Sequence, residues 1–190
     1  MRYQNKHIIL DAKQIKRIYA VGDIHGEFLT FADDLVNSCK VSNCAVIVCG
    51  DIGLGFYSTD RQAEFFTRMQ SMLSPKNITV IFFRGNHDDP YWFEYHDDDF
   101  AINYPNVIIA EDFSIVDIPN ENYPYKILLW GGGISIDRTT RMLNRSYWKN
   151  EAVKPLGPEF DKDLEINCVC TYASPDFCLP CNSDNLSGWY

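Results

Sequence analysis

The sequence predicts an α/β fold, a β-sandwich flanked by helices. Two observations carry this. Three short, β-rich apolar runs, "RIYAVGD", "AVIVCGD" and "TVIFFRGNHD", each stop at a Gly beside an Asp or Asn, and helix-like segments separate them. The second half then changes character: "NVIIAEDFSIVDI", "YKILLWGGG" and "EINCVCTYA" read as strands with little helix between them.

Taken in order, the elements support that outline. Between the first two runs, "EFLTFADDLVNSCK" sets Phe28, Phe31, Leu35 and Val36 on roughly one helical face. Between the second and third, "STDRQAEFFTRMQSMLSP" opens on capping residue types and repeats Phe65, Phe66, Met69, Met72 and Leu73. It ends at Pro75, as a helix should. Strand, helix, strand, helix, strand makes a parallel sheet with right-handed crossovers. The loops after its strands then share one edge, where ligands of open α/β sheets collect. Pro119, Pro124, Pro155 and Pro158 punctuate the later strands, which are expected to build a second sheet.

A chain of 190 residues with 46% apolar residues suits a single domain, 1–190, with a real core. A net charge of -9 argues against a dedicated nucleic-acid-binding surface, which needs a basic face. It leaves room for an anionic substrate, because bound cations reverse the local sign. No apolar run is long enough to span a bilayer, so no membrane partner is expected. The N-terminal segment lacks the apolar core and small-residue cleavage site of a signal peptide, so the cytoplasm is the expected compartment. Seven cysteines are an odd number, and Cys44 and Cys49 flank an apolar strand. Free buried thiols explain those two better than a secreted disulfide framework.

Three motifs carry the chemistry. In "GDIHG", Asp23 and His25 stand two residues apart at a strand end, where alternation can aim both to one side. A carboxylate and an imidazole so spaced suit a divalent transition metal. In "GDIGLG", Asp51 ends the next strand; in "GNHD", Asn86 offers an amide oxygen and His87 an acid or base. Each motif alone is no more than a turn. Together, each after a strand, they converge at one sheet edge.

These motifs resemble the calcineurin-like metallophosphoesterase family, whose pattern is GDxHG, then GD, then GNH[DE]. "LLWGGGISIDR" followed by "SYWKNE" is similar to bacterial and phage members of that superfamily. The resemblance implies a four-layer αββα sandwich of two mixed β-sheets flanked by helices. It also implies a metal-dependent phosphoester hydrolase, a phosphatase or phosphodiesterase, with one or two divalent ions (Mn, Fe or Zn) as cofactor. Asp23 and His25 would hold one ion, Asp51 would bridge both, and Asn86 would hold the second. His87 would protonate the leaving oxygen. Two ions about 3.5–4 Å apart clamp a phosphoryl oxygen and lower the pKa of a water between them, so no nucleophilic Ser or Cys is needed.

The family pattern also needs two later histidines. "CTYASP" sits where the first belongs, with Tyr172 at the histidine position, and no His follows His96. A neutral phenol is a poor ligand beside an imidazole, since Tyr titrates near pH 10. Three explanations stand: the chain is a C-terminally truncated piece of a longer protein, it keeps one weaker ion, or it is a degenerate, non-catalytic binding module. Truncation leaves Tyr172 unexplained.

Other candidates have plainer readings. Cys168, Cys170, Cys178 and Cys181 could hold a structural zinc, although CxC spacing is less usual than paired CxxC, and ordinary thiols account for them. His96 beside Asp97, Asp98 and Asp99 reads as a solvated acidic loop. The glycines of "WGGGISIDR" could admit a phosphate to the backbone, with Arg138 pairing to it, or form only a tight turn. Arg138 and Tyr172 are the candidate substrate contacts. The aromatics of "HDDPYWFEY" either wall the substrate pocket or pack in the core.

Overall fold

A computed structural model describes residues 7–94, 98–119, 124–157 and 164–174. In chain order its strands are β1 (His7–Ile9), β2 (Arg17–Val21), β3 (Cys44–Cys49), β4 (Ile78–Phe83), β5 (Val107–Ile109), β6 (Ile115–Ile118), β7 (Tyr125–Trp130) and β8 (Cys168–Thr171). The α-helices are α1 (Phe28–Asp33), α2 (Thr59–Leu73), α3 (Tyr91–Glu94) and α4 (Asp98–Asn103).

The three apolar runs become β2, β3 and β4, which pair in parallel and in sequence order, with β5 added at the edge. Consecutive parallel order with crossovers of one hand puts both connecting helices on the same face. Their packing agrees. Phe28, Phe31 and Ala32 of α1 and Phe66, Met69 and Leu73 of α2 bury against Cys44, Val46, Val48, Ile78, Val80 and Phe82. These are alternate residues of β3 and β4, the period-2 signature of one sheet face. Fully burying a side chain of this size contributes about 1.5–3 kcal/mol. The predicted first helix is interrupted: after Asp33 it continues as a π-helical turn, Asp34–Ser38.

The opposite face of β3 and β4, with Ala45, Ile47, Ile81 and Phe83, packs on a second sheet of order β1-β6-β7-β8. From that sheet come Ile8, Val116, Ile127 and Leu129. This sheet is mixed, β6 and β7 being antiparallel and the other pairs parallel. The first sheet is wholly parallel. Two refinements of the expected layout follow. The stretch "NVIIAEDFSIVDI" is split between the sheets, β5 joining the first and β6 the second. The N-terminal "HII", whose apolar residues are too few to announce a strand, pairs with β6 as an edge of the second sheet.

The described helices pack on the first sheet. Among the described residues, the outer face of the second sheet is covered by Leu164, Ile166 and Trp130 around Phe113, Ile115 and Leu128, without an α-helix. No helix among the described residues is long and apolar enough to cross a membrane.

Candidate active site

The site is assembled from the turns that end four strands. Asp23 and His25 follow β2, Asp51 follows β3, Asn86 and His87 follow β4, and Tyr172 follows β8. Backbone bonds lash the first two turns together: His25 N–H donates to Asp51 C=O (2.9 Å) and Gly26 N–H to Ile52 C=O (2.7 Å). Asp23, His25 and Asp51 have φ of 59°, 43° and 50°. Left-handed backbone at three non-glycine residues is strained, and such strain persists only where neighbouring contacts over-determine it.

Asp88 supplies that constraint. Its buried carboxylate accepts N–H bonds from Ile52 (3.2 Å), Gly53 (2.7 Å), Leu54 (3.1 Å) and Gly85 (2.8 Å). One side chain therefore ties the second turn to the third. Burial pushes the Asp88 carboxyl up to about 6, and the backbone donors act against that rise.

Asp51 is the centre, only 3% exposed. Its Oδ1 accepts the His87 backbone N–H at 3.1 Å. Its Oδ2 lies 3.8 Å from His25 Nε2 and 3.7 Å from His87 Nε2. His25 Nε2 is in turn 3.7 Å from Asp23 Oδ1. A four-coordinate ion with bonds of about 2.1 Å holds its donors about 3.4 Å apart. The Asp23–His25 and His25–Asp51 separations are each close to that spacing and offer carboxylate and imidazole, so a divalent cation fits between His25 and Asp51, with Asp23 beside His25. His25, Asp51 and His87 also form a group whose donor atoms all lie within 4.8 Å of one another.

The second ion position is different. Asn86 is buried and held from behind: its Nδ2 donates to Ser135 Oγ (2.6 Å), which donates to Glu151 Oε2 (2.6 Å), while Ser135 N–H donates to Glu151 Oε1 (2.7 Å). This turns Asn86 Oδ1 toward Asp51, and there it meets the Tyr172 hydroxyl at 2.5 Å. The same hydroxyl is 3.0 Å from Asp51 Oδ2. Burial, with Asp51 beside it, raises the phenol well above its ordinary pKa, so it stays a donor. A neutral phenol whose hydroxyl sits on both oxygens does not fit a cation between them.

Over the centre sits Arg141. Its Nη2 is 2.5 Å from His87 Nε2, its Nη1 is 3.3 Å from Ser135 Oγ, and Asp137 pairs with it at 2.7 Å. A guanidinium only donates, so His87 Nε2 accepts here and the ring is neutral. Burial pushes the His87 pKa down, with Arg141 and His25 adding to that effect against Asp51.

The family profile described as calcineurin-like phosphoesterase matches residues 16–166. The chain belongs to the calcineurin-like phosphoesterase family. Comparison with curated proteins finds no match. The matched span covers all three strand-end motifs and strands β2 to β7, stopping just before β8. For a calcineurin-like phosphoesterase, a divalent-cation centre and a phosphoester substrate are the coarse functional inference, and the Asp51 cluster is where such a cation fits.

The remaining sequence candidates fall into place around this centre. Arg138 lies exposed on a short 3-10 turn, while Arg141, three residues on, reaches the site. Spacing alone does not choose between two arginines of one turn. The glycine N–H groups imagined as a phosphate cradle are engaged elsewhere: Gly132 donates to Arg84 C=O (2.9 Å) and Gly133 to Glu151 C=O (3.0 Å). Phe93 and Trp92 pack into the helix-side core instead of lining the centre. Cys168 and Cys170 are half-buried and pack into the inter-sheet core. Cys178 and Cys181 lie outside the described residues, as do His96, Asp97 and the side chains of Asp98 and Asp99.

Two supporting groups escaped the sequence reading. Asp88 is part of "GNHD", but its role is visible only once the turns are folded. Glu151, from "SYWKNE", orients Ser135 and through it Asn86.

Proposed function

We propose that this chain is a metal-dependent phosphoester hydrolase, and the convergence of His25 and His87 on the buried Asp51, with Asp23 beside His25, carries the reading. The Asp23, His25 and Asp51 side chains hold a divalent cation, with manganese the first to try. Such a cation, when bound, supplies an activated water and neutralises phosphoryl charge. Arg141 grips the non-bridging phosphate oxygens through its forked donors. We assign this contact to Arg141 in preference to Arg138.

His87 handles the proton. In the free site its Nε2 accepts from Arg141. A phosphoryl group that draws the guanidinium away frees that nitrogen, and the substrate's negative charge favours its protonation. A water that has given one proton to solvent bonds through its oxygen to phosphorus, the ester P–O bond breaks, and the leaving alkoxide takes a proton from His87, which solvent replaces. Asp51 and Asn86 keep fixed positions throughout, since both are tied by buried hydrogen bonds.

A second reading, a non-catalytic phosphate-binding module, is favoured by one observation: the Tyr172 hydroxyl engages both Asp51 and Asn86. One assay separates the two. With manganese, the purified chain should hydrolyse aryl phosphate monoesters or diesters. Asp51→Ala should abolish turnover, His87→Ala should slow it by about 10²–10⁴-fold, and Arg141→Ala should cost far more than Arg138→Ala. A folded wild-type chain that turns over nothing with any divalent metal rejects the hydrolase.

A further inference from the structure

A family-type centre has room for two ions, and this chain fills one of the two places with its own side chain. We infer that the Tyr172 hydroxyl occupies the second cation position between Asp51 and Asn86, so that the centre takes one divalent cation, on Asp23, His25 and Asp51. This rests on the metal-centre reading above and sharpens it.

Two independent features support the assignment. The first is the hydroxyl's own contacts. It lies 3.0 Å from Asp51 Oδ2 and 2.5 Å from Asn86 Oδ1, oxygens of the two residues that the family resemblance assigns to a second ion. Neither oxygen can swing away at little cost. Asp51 is pinned through Oδ1 by the His87 N–H, and Asn86 through its amide nitrogen by the Ser135–Glu151 pair. An ion bonded to both oxygens at about 2.1 Å competes for the space the phenol oxygen holds.

The second feature is a slot shaped for the ring. A Cβ at Gly50 would stand 2.3 Å from Tyr172 Cδ2, and one at Gly133 would stand 2.9 Å from its Cε1. Gly50 also has φ of 82°, a conformation that side chains rarely adopt. The absence of side chains at the ends of β3 and β7 is therefore what admits the phenol ring. Tyr172 enters this slot directly from β8, whose pairing with β7 aligns Thr171 with Trp130. The phenol is built into the edge and is not a loop residue resting there.

The consequence is a mononuclear centre whose limiting residue is Tyr172. Calorimetric titration of metal-stripped protein with manganese chloride tests it, with native mass spectrometry to count ions. Wild type should bind one ion per chain. Tyr172→His, which puts an imidazole where the phenol stood, should bind two and show the electron-spin-resonance signature of a coupled manganese pair. Asp23→Ala should weaken the wild-type site by at least about tenfold. Asn86→Ala in the wild-type background should change that affinity by less than about threefold, because in this account Asn86 contacts the phenol and not the ion. This last variant keeps the test decisive if Tyr172→His does not fold.

Two ions in wild type overturn the inference and leave the metal centre standing, as does a tenfold loss on Asn86→Ala. A single ion in a folded Tyr172→His also overturns it, because Tyr172 then limits nothing. No manganese bound to wild type overturns the metal-centre reading itself.

Discussion

Among single residues, Asp88 does the most to shape the site without needing to touch substrate. Four backbone N–H groups from two turns converge on it, and it is fully buried. Removing the carboxylate strands those donors, at about 1–3 kcal/mol for each one left unsatisfied. Asp88→Ala should therefore lower unfolding free energy by at least about 3 kcal/mol in urea denaturation, and a loss under 1 kcal/mol contradicts this role. A single sequence could not reveal it. Asp51 and Asp88 both follow a strand and sit near a Gly, yet one turns its carboxylate toward His25 and His87 and the other gathers amides. Only the direction of each side chain separates them, and direction is set by the positive φ at Asp51 and by which turns lie across from Asp88. Arg141 was hidden for a similar reason. Arg138 and Arg141 share one turn, and the ion pair with Asp137 selects the second of them for the interior.

At the level of elements, helix α2 shows what the pattern specifies and what it leaves open. Phe66, Met69 and Leu73 recur at helical spacing and bury on the first sheet, as their periodicity requires. Gln62 continues that stripe one turn earlier, and is fully buried with no hydrogen-bond partner for either amide atom among the described residues. An unpaired buried amide is costly. Gln62→Met, of similar length and high helix propensity, should raise the thermal midpoint, by an amount corresponding to about 1 kcal/mol or more. A clear drop would show that Gln62 has a partner that matters. The strands tell a complementary story. Long β-branched runs such as β3 and β4 were legible because burial on both faces leaves a continuous apolar signature. β1, three residues long, was not, because an edge strand that short carries too little pattern, and β5 was legible as strand but not the sheet it joins. Their place is decided by the neighbours they pair with, β6 and β4.

On the scale of the molecule, the two sheets are joined beneath the site by Arg84. It leaves the end of β4 fully buried, pairs with Asp112 ahead of β6, and donates to the carbonyls of Glu151 (2.7 Å) and Ala152 (2.9 Å). Sheet, partner sheet and the segment that carries Glu151 thus meet at one guanidinium. Losing one member of a buried ion pair costs about 3–5 kcal/mol. Arg84→Met, which keeps volume and removes the donors, should destabilise the protein to that extent in urea and also loosen Ser135 and Asn86. Unchanged stability would show that the sheets hold together without it. Sequence pattern foresaw two sheets and a shared edge because strand order and Gly-Asp punctuation are local. It did not foresee that, among the described residues, the outer face of the second sheet is covered by Leu164 and Ile166 without an α-helix, nor Arg84, because both depend on how distant segments close over the core.

The central claim is that the strand-end turns of the first sheet hold a divalent cation against Asp51. Anomalous diffraction from crystals soaked in manganese tests it most directly. One strong peak per chain is expected, within bonding distance of Asp23 Oδ1, His25 Nε2 and Asp51 Oδ2. A fully soaked crystal with no peak at those atoms, or with its only peak at the cysteines beyond β8, would contradict it.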